Sequence, residues 1–348
     1  MTTIDIDKTG SATSPLNIER RVTVVAGIDL PRAGDVVVVK ALTESVTYGN
    51  LELPSGRLAR INRGDVLLGV LGKRRALKGF VGDVPATLSA GDRLHLLNMG
   101  GVIGECKGHH SSLSDAIEVE VIGAASDENG SPLNIADVGL DLAATLMPSA
   151  PIVVVAGSCM NSGKTVAAVE IIKQASNGGL KVAGAKLTGI ACLRDTLNMQ
   201  DHGAFVTASF LDCGLPSTVD NDQLPSVARG VFNHLNSFHP DLIVAELGDG
   251  IVGGYGVDSI LNDQEFRDAV SSFVFCASDY VGVIGGVTVL NEMGIKVDVV
   301  AGSVTDSKMG EDFVRDQFGL DAGNARRDGE RLFSLIEKSL QREARLAA

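Results

Sequence analysis

The residues best suited to chemistry stand between Gly157 and Thr165. The stretch consists of Gly157, five further residues, and then Gly163-Lys164-Thr165. A glycine-rich turn between a strand and a helix directs backbone N–H groups at one point, which attracts phosphate. Lys164 can then reach the β- and γ-phosphates, and the Thr165 hydroxyl can bind Mg²⁺. The sequence thus predicts a nucleotide site formed by Gly157, Asn161, Ser162, Gly163, Lys164, Thr165 and Val166.

A carboxylate further along the chain is predicted to bind the metal ion of the same site. Leu242–Glu246 is an apolar run that ends in an acid, as a Walker B strand does. A hard cation such as Mg²⁺ prefers oxygen ligands. A glutamate buried after such a run without a cation would suffer a large desolvation cost. We therefore predict that Glu246, together with Thr165, binds Mg²⁺.

The loop resembles that of dethiobiotin synthetase and its relatives in the MinD/CobQ branch of P-loop proteins. Their usual form is also a glycine, five residues and Gly-Lys-Thr, and the resemblance covers about residues 150–310. It implies Mg²⁺, a homodimer, and ATP as the default substrate with GTP left open. The family's loop carries an Asp where Cys159 stands, so the role of that Asp does not transfer.

The order of later motifs extends the resemblance. Lys186-Leu-Thr-Gly matches the family's lysine turn and implies contact with the substrate or the transferring phosphoryl group. Asp201 occupies the place of a magnesium-binding Asp at the start of a helix, with Asp195 as the competing candidate. Asp306 follows a late strand where relatives place a base-reading residue. Asp249 and the glycine-rich residues 250–256 are expected to line an acceptor pocket.

The elements that must position these residues alternate in type over the second half of the chain. Apolar runs of strand length separate stretches of helical periodicity, a pattern typical of a mainly parallel sheet with helices on both faces. Strands are predicted at 152–156, 181–186, 242–246, 273–276 and 297–302, and more weakly at 217–219; helices are predicted at 165–175, 203–211, 227–235, 265–270, 283–293, 311–318 and 328–345.

The first half of the chain has a different pattern. Short β-branched runs from about residue 20 predict a small all-β barrel-like or sandwich domain. Three runs follow Gly-Asp turns at Gly34, Gly64 and Gly91, where glycine can adopt a positive φ. We therefore divide the chain into a mobile tail (1–17), a β-rich domain (18–123), a linker (124–149) and a P-loop NTPase domain (150–348).

One cluster of metal-type side chains lies in the β-rich domain, at Cys106, His109 and His110. A second ligand pair at suitable spacing is missing, so a solvated loop is the favoured interpretation and a soft-metal site the alternative. The five cysteines of the chain form no Cys-x-x-Cys pair, which favours reduced thiols and a cytoplasmic location. A net charge of −13 argues against nucleic acid as a partner, and no apolar run reaches membrane-spanning length.

Two functions fit these observations. The first is an ATP- or GTP-dependent enzyme of kinase or ligase type, in which Lys164, Lys186 and Glu246 are catalytic and a small carboxylate or amine-derived substrate receives the phosphoryl group. The second is a regulatory or assembly NTPase whose hydrolysis switches contacts with a partner protein. The glycine-rich segment after Glu246 and the Lys186 turn favour the enzyme, because both suggest a small-molecule pocket.

Overall fold

The computed structural model describes residues 2–347, with side chains for residues 2–342. The described chain divides into two compact units. Unit 1 contains residues up to Leu140 together with two later segments, Ile190–Arg194 and Phe210–Val219. Unit 2 contains the remaining residues from Asp141 onward. No helix among the described residues is long and apolar enough to cross a membrane.

Unit 1 is built almost entirely from short strands. Its largest sheet includes five strands that pair in a closed circuit, β5–β8–β13–β12–β14 and back to β5. Valine and leucine side chains such as Val37, Leu67 and Val119 fill its interior. The predicted barrel-like domain is thus confirmed. The strands are β1 (Thr2–Asp5), β2 (Lys8–Thr9), β3 (Arg21–Val25), β4 (Gly27–Ile28), β5 (Val36–Ala41), β6 (Asn50–Glu52), β7 (Leu58–Arg60), β8 (Val66–Leu71), β9 (Arg74–Arg75), β10 (Phe80–Asp83), β11 (Leu88–Ser89), β12 (Arg93–Leu96), β13 (Val102–His109) and β14 (Glu118–Ala125).

The three Gly-Asp turns share one geometry. Gly34, Gly64 and Gly91 have φ values of +91°, +94° and +94°. In each turn the aspartate that follows the glycine accepts a hydrogen bond from the backbone N–H three residues before it, at 2.6, 2.6 and 2.7 Å. The aspartate closes the turn while glycine supplies the left-handed conformation. The expected turn chemistry is confirmed.

Both ends of the β-rich region differ from the sequence prediction. Residues 1–17 were expected to be a mobile tail, but β1 pairs with β3 and a 3-10 helix at Ser11–Leu16 buries Ser11, Ala12 and Thr13. Residues 124–149 were expected to be a linker, yet β14 continues to Ala125 and unit 1 extends to Leu140. Polar composition misled the prediction, because these hydroxyl-rich residues satisfy their hydrogen bonds inside the fold.

Unit 2 has one seven-stranded sheet in the order β17–β16–β18–β15–β19–β20–β21, and every pairing in it is parallel. Helices follow the strands, and α1 and α8 cover one core cluster. The strands are β15 (Ile152–Gly157), β16 (Val182–Thr188), β17 (Ala204–Ser209), β18 (Leu242–Leu247), β19 (Val270–Cys276), β20 (Val299–Ala301) and β21 (Asp321–Ala322); the helices are α1 (Lys164–Asn177), α2 (Arg194–Asp201), α3 (Leu224–Asn236), α4 (Val257–Leu261), α5 (Gln264–Ala269), α6 (Tyr280–Glu292), α7 (Lys308–Phe318) and α8 (Gly329–Ala347).

Five of the predicted strands are present as β15, β16, β18, β19 and β20, and the predicted parallel sheet is confirmed. Two element predictions are wrong. Residues 203–211, predicted as a helix, contain the edge strand β17, because a short apolar run has no periodicity that separates strand from helix. Residues 217–219, predicted as a weak strand, contribute only an isolated bridge between Ser217 and Ile190.

Candidate nucleotide-binding site

The loop after β15 has the backbone of a phosphate cradle. Asn161 has a φ of +62° and Gly163 a φ of +100°. A Cβ on Gly163 would lie 2.9 Å from the Gly302 Cα, and a Cβ on Gly157 would lie 2.4 Å from the Ser162 Oγ. Glycine is therefore required at both positions, as the sequence pattern predicts. Ser162 is fully buried, and its Oγ is one of the few buried side-chain oxygens among the described residues without a hydrogen-bond partner.

Lys164 is the first residue of α1 and is only 5% exposed. Its Nζ donates to the carbonyl oxygen of Cys159 at 2.8 Å, which holds the ammonium group within the loop. Burial lowers the pKa of Lys164, while the charge of Glu246 opposes that effect. A bound anion such as phosphate would stabilise the charged ammonium group in place of the water that burial excludes.

Sheet register brings the predicted lysine and glutamate together. Lys186 on β16 stands directly opposite Glu246 on β18, and β18 also pairs with β15. The Lys186 Nζ lies 2.8 Å from the Glu246 Oε1 and 2.8 Å from the Asp195 Oδ2. Burial acts to lower the pKa of Lys186, but the two carboxylates outweigh burial and raise the pKa above its usual value. Lys186 is therefore a buried cation neutralised by acids of its own unit.

The residues present fit Mg²⁺. Thr165 donates from Oγ1 to the Glu246 Oε1 at 2.9 Å, so the two predicted metal residues are neighbours. Glu246 is 1% exposed, and its Oε2 has no partner among the described residues. No described group of three or more His, Cys, Asp or Glu residues forms a metal cage. That finding is compatible with Mg²⁺, which usually takes one or two carboxylates plus phosphate and water.

Asp201, the first choice for a second metal ligand, does not join this group. It is the last residue of α2 and is exposed. Asp195, the competing candidate, lies in the first turn of α2 and bonds Lys186. Asp201 lies six positions after Asp195, a distance of about 9 Å along the helix. The structure thus places Asp195, and not Asp201, with Lys186 and Glu246, because the helix begins earlier than the sequence suggested.

A small cavity beside the loop contains the predicted base-reading residue. Its lining includes Gly163, Val166, Asp306, Asn324 and Arg326. Asn324 is 3% exposed, and its Nδ2 donates to the Asp306 Oδ1 at 2.8 Å and to the Thr305 Oγ1 at 3.1 Å. The amide of Asn324 therefore orients the carboxylate of Asp306. Sequence reasoning missed Asn324, although the Gly-Asn pair after the last short strand was an available signal.

The glycine-rich segment after Glu246 lies against the phosphate loop. Ile251 donates its N–H to the Gly157 carbonyl at 2.9 Å, and a Cβ on Gly250 would lie 2.6 Å from the Ser158 carbonyl oxygen. Asp249 has a φ of +68°, and burial raises the pKa of its carboxyl group, with Lys164 opposing the shift. These contacts place residues 249–251 beside the loop, where the sequence predicted an acceptor pocket.

The Cys106, His109 and His110 cluster is not a loop, as the favoured interpretation had it, because Cys106 and His109 belong to β13. Each side chain has a protein partner: the Cys106 Sγ lies 3.5 Å from the Gly108 carbonyl oxygen, the His109 Nε2 lies 3.2 Å from the Asp115 Oδ1, and the His110 Nδ1 lies 2.8 Å from the Ser112 Oγ. The described residues hold no set of three or more ligand-type side chains that could bind a metal.

Unit 2 has a P-loop NTPase fold, with strand, phosphate loop and helix in succession and the Walker B strand beside the loop strand. No family model and no curated protein matches the chain. One solved structure that resembles it is FtsY of Thermotoga maritima, with a TM-score of 0.40, 15% sequence identity, and coverage of 58% of this chain and 71% of that chain. Another is chloroplast FtsY of Physcomitrella patens, with a TM-score of 0.39, 13% sequence identity, and coverage of 57% of this chain and 67% of that chain.

The signal recognition particle 54 kDa protein of Aeropyrum pernix, in complex with GDP, is also similar (TM-score 0.38, 16% identity). The match covers 57% of this chain and half the length of that protein. Likeness at this level assigns no activity to this chain. The more specific resemblance to the dethiobiotin synthetase, MinD and CobQ branch gains no support from these comparisons.

Proposed function

We propose that the protein binds a magnesium–nucleoside triphosphate at the loop of residues 157–165 and hydrolyses it, using the turnover to switch the state of a regulatory or assembly module. The observation that best supports nucleotide binding is the position of Lys164, whose buried ammonium group is held within the glycine-rich loop by the Cys159 carbonyl. Thr165 and Glu246 would hold Mg²⁺, which supplies charge neutralisation at the β- and γ-phosphates when bound.

The position of Lys186 favours a switch over transfer to a small acceptor. The sequence assigned Lys186 to the substrate, but both of its carboxylate partners belong to the site itself. A lysine that held an acceptor would have to exchange one of these buried ion pairs for the acceptor. The phosphoryl-transfer or ligase reaction stays an alternative, supported by the glycine-rich residues 249–251 beside the loop.

The geometry around Asp306 favours guanine over adenine. Both N–H groups of the Asn324 amide are used inside the protein, so Asn324 does not read the base. A carboxylate only accepts hydrogen bonds. Guanine presents two adjacent donors, N1–H and N2–H, whereas adenine places the acceptor N1 beside its amino group. We therefore propose GTP as the preferred nucleotide, a departure from the ATP default.

Titration calorimetry with Mg²⁺ and a non-hydrolysable GTP analogue tests the binding site. Lys164→Ala should weaken binding roughly 100-fold, because a charge-assisted hydrogen bond is lost. Lys173→Ala is the matched control, since Lys173 lies on the same helix and its side chain is 49% exposed. Undiminished binding by Lys164→Ala would refute the nucleotide site.

An assay of phosphate release then distinguishes the switch from the transferase or ligase. Glu246→Gln should reduce turnover far more than affinity, because its carboxylate acts on the metal side of the reaction. Hydrolysis stimulated by a purified protein fraction, with no phosphorylated product, would support the switch. Strong stimulation by a pool of small acids and amines, with phosphate appearing on one of them, would support the transferase or ligase instead.

A further inference from the structure

Asp249 differs from the other acids of the nucleotide site in how its charge is compensated. It follows Glu246 by three residues, just beyond the end of β18, and belongs to unit 2 together with the phosphate loop. Glu246 already contacts a lysine and a threonine of the site. Among the described residues, three influences act on the carboxyl group of Asp249: burial raises its pKa, while the charge of Lys164 and the N–H of Gly250 oppose that shift. None of the three is a side-chain hydrogen bond, so the carboxylate can still accept one.

The residues that follow Asp249 hold it at the edge of the phosphate loop. Ile251 donates its N–H to the Gly157 carbonyl oxygen at 2.9 Å. A Cβ on Gly250 would lie 2.6 Å from the Ser158 carbonyl oxygen, so the two backbones are in direct contact. The effect of Lys164 on the pKa of Asp249 agrees with this placement. The carboxylate therefore lies on the side of the loop to which Lys164 belongs.

The conformation of Asp249 costs stability. Its φ of +68° is uncommon for a residue with a side chain, and its carboxylate is partly buried. A Cβ on Gly253 would lie 2.6 Å from the Asp249 Oδ2, so glycine at position 253 leaves the space that the carboxylate occupies. Left-handed backbone and a buried charge both destabilise a fold, and both are concentrated at functional sites.

Hydrolysis of a nucleoside triphosphate requires a group that receives the attacking water. The water oxygen forms a bond to the γ-phosphorus, and the bond from that phosphorus to the bridging oxygen breaks, its electron pair leaving with the nucleoside diphosphate. A proton of the water must pass to a base and from there to the released phosphate. An ionised carboxylate accepts hydrogen bonds and donates none, which suits it to orient a water by its O–H.

We propose that Asp249 is a catalytic residue whose carboxylate accepts a hydrogen bond from the attacking water and directs that water at the γ-phosphorus, in the space that Gly253 leaves. The inference rests on the proposed hydrolysis and assigns its water-activating group. Asp249 then acts on turnover and not on nucleotide affinity, which remains the task of Lys164.

Two variants that keep the backbone conformation test the role of the carboxylate. Asparagine and glycine both accept a φ of +68°, so Asp249→Asn and Asp249→Gly change the side chain without straining the turn. Each should lower kcat for GTP hydrolysis roughly 100-fold. The affinity for a non-hydrolysable GTP analogue should stay within about twofold of the parent value. Asp258→Asn is the matched control, because it removes the same charge from an exposed position in the first turn of α4 and should leave kcat unchanged.

A binding measurement separates catalysis from a structural role. The complex of GDP, Mg²⁺ and aluminium fluoride resembles the transition state, whereas the non-hydrolysable analogue resembles the substrate. In calorimetry, Asp249→Asn should weaken the aluminium fluoride complex by about the factor by which it lowers kcat. An unchanged affinity for that complex, or a kcat equal to that of the parent protein, would overturn the proposal.

The space beside Gly253 provides an independent test. Gly253→Ala should displace the carboxylate of Asp249 and lower kcat about tenfold. In the Asp249→Gly background it should cause no further loss, since the group that it displaces is absent. Additive losses would contradict the placement of the water. A parent protein that hydrolyses no nucleotide would refute the proposed function and this inference with it, whereas hydrolysis at the parent rate by the Asp249 variants would overturn this inference alone.

Discussion

Replacing Lys186 by methionine is the most informative perturbation of the site. Methionine keeps nearly the length and the apolar stem of lysine but removes the charge that lies between the carboxylates of Asp195 and Glu246. Glu246 is 1% exposed, so solvent cannot replace the lost partner. The variant therefore leaves a buried, uncompensated carboxylate with a second acid close to it.

Removing one partner of a buried ion pair costs about 3–5 kcal/mol. A free energy of unfolding for a domain of this kind is about 5–15 kcal/mol, so the loss is a large fraction of the total. For a domain of 150–250 residues, 1 kcal/mol shifts Tm by about 2–4 °C, which predicts that Lys186→Met melts roughly 12 °C lower. Thermal unfolding followed by circular dichroism at neutral pH and low salt measures this shift.

Two further conditions check the electrostatic reason. Lowering the pH should reduce the loss, because a proton neutralises the negative charge that the missing ammonium group no longer compensates. Mg²⁺ should raise the Tm of Lys186→Met more than that of the parent protein, since the cation can replace the ammonium charge between the two acids.

The double variant Lys186→Met/Glu246→Gln provides the refuting test. Removing the stranded charge should recover most of the lost Tm, because an amide in place of the carboxylate has a much smaller desolvation cost. If the double variant melts as low as Lys186→Met, or if Lys186→Met is as stable as the parent protein, the ion-pair cluster does not stabilise the site and the reasoning fails.

Two other variants test neighbouring parts of the site. Asp249→Asn should slightly stabilise the free protein at neutral pH, because burial raises the pKa of Asp249 and asparagine tolerates its φ of +68°. The gain should vanish below about pH 4, where the carboxyl is protonated in both states, and urea titrations at several pH values measure it. Asp306→Asn should weaken GTP binding about tenfold and favour xanthosine triphosphate, because the C2 oxygen of xanthine can accept a hydrogen bond from an amide. Competition against a fluorescent GTP analogue measures both affinities. An unchanged GTP affinity would exclude Asp306 from base recognition.

The chemistry of the site was predictable from sequence where it depends on local order. A phosphate loop needs only a strand, a glycine-rich turn and a helix in succession, and Gly157–Thr165 supplies all three. Lys186 and Glu246 were found because each ends a buried strand, and the carboxyl ends of parallel strands meet at one edge of the sheet. Their pairing required only that the two strands be neighbours.

The errors arose where long-range contacts decide the structure. Asp201 was preferred over Asp195 because an aspartate at a helix start was expected, but α2 begins at Arg194 and therefore has Asp195 in its first turn. Residues 204–209 form an edge strand because β16 offers a parallel partner, which their composition does not reveal. Ser11, Ala12 and Thr13 look like a tail by composition and become core because the 3-10 helix packs them inside unit 1.

The two lysines of the site differ in how their charges are compensated, and this difference predicts a division of roles. Lys164 is buried with a carbonyl oxygen as its partner, and burial lowers its pKa. A bound phosphate would therefore supply a negative charge next to its ammonium group. Lys186 forms ion pairs with two carboxylates, which raise its pKa and neutralise its charge, so it attracts a phosphate only weakly. Variants of Lys164 should therefore lose nucleotide affinity, whereas variants of Lys186 should lose stability and turnover. Such a split would locate binding at the loop and the switch at the acid–lysine cluster.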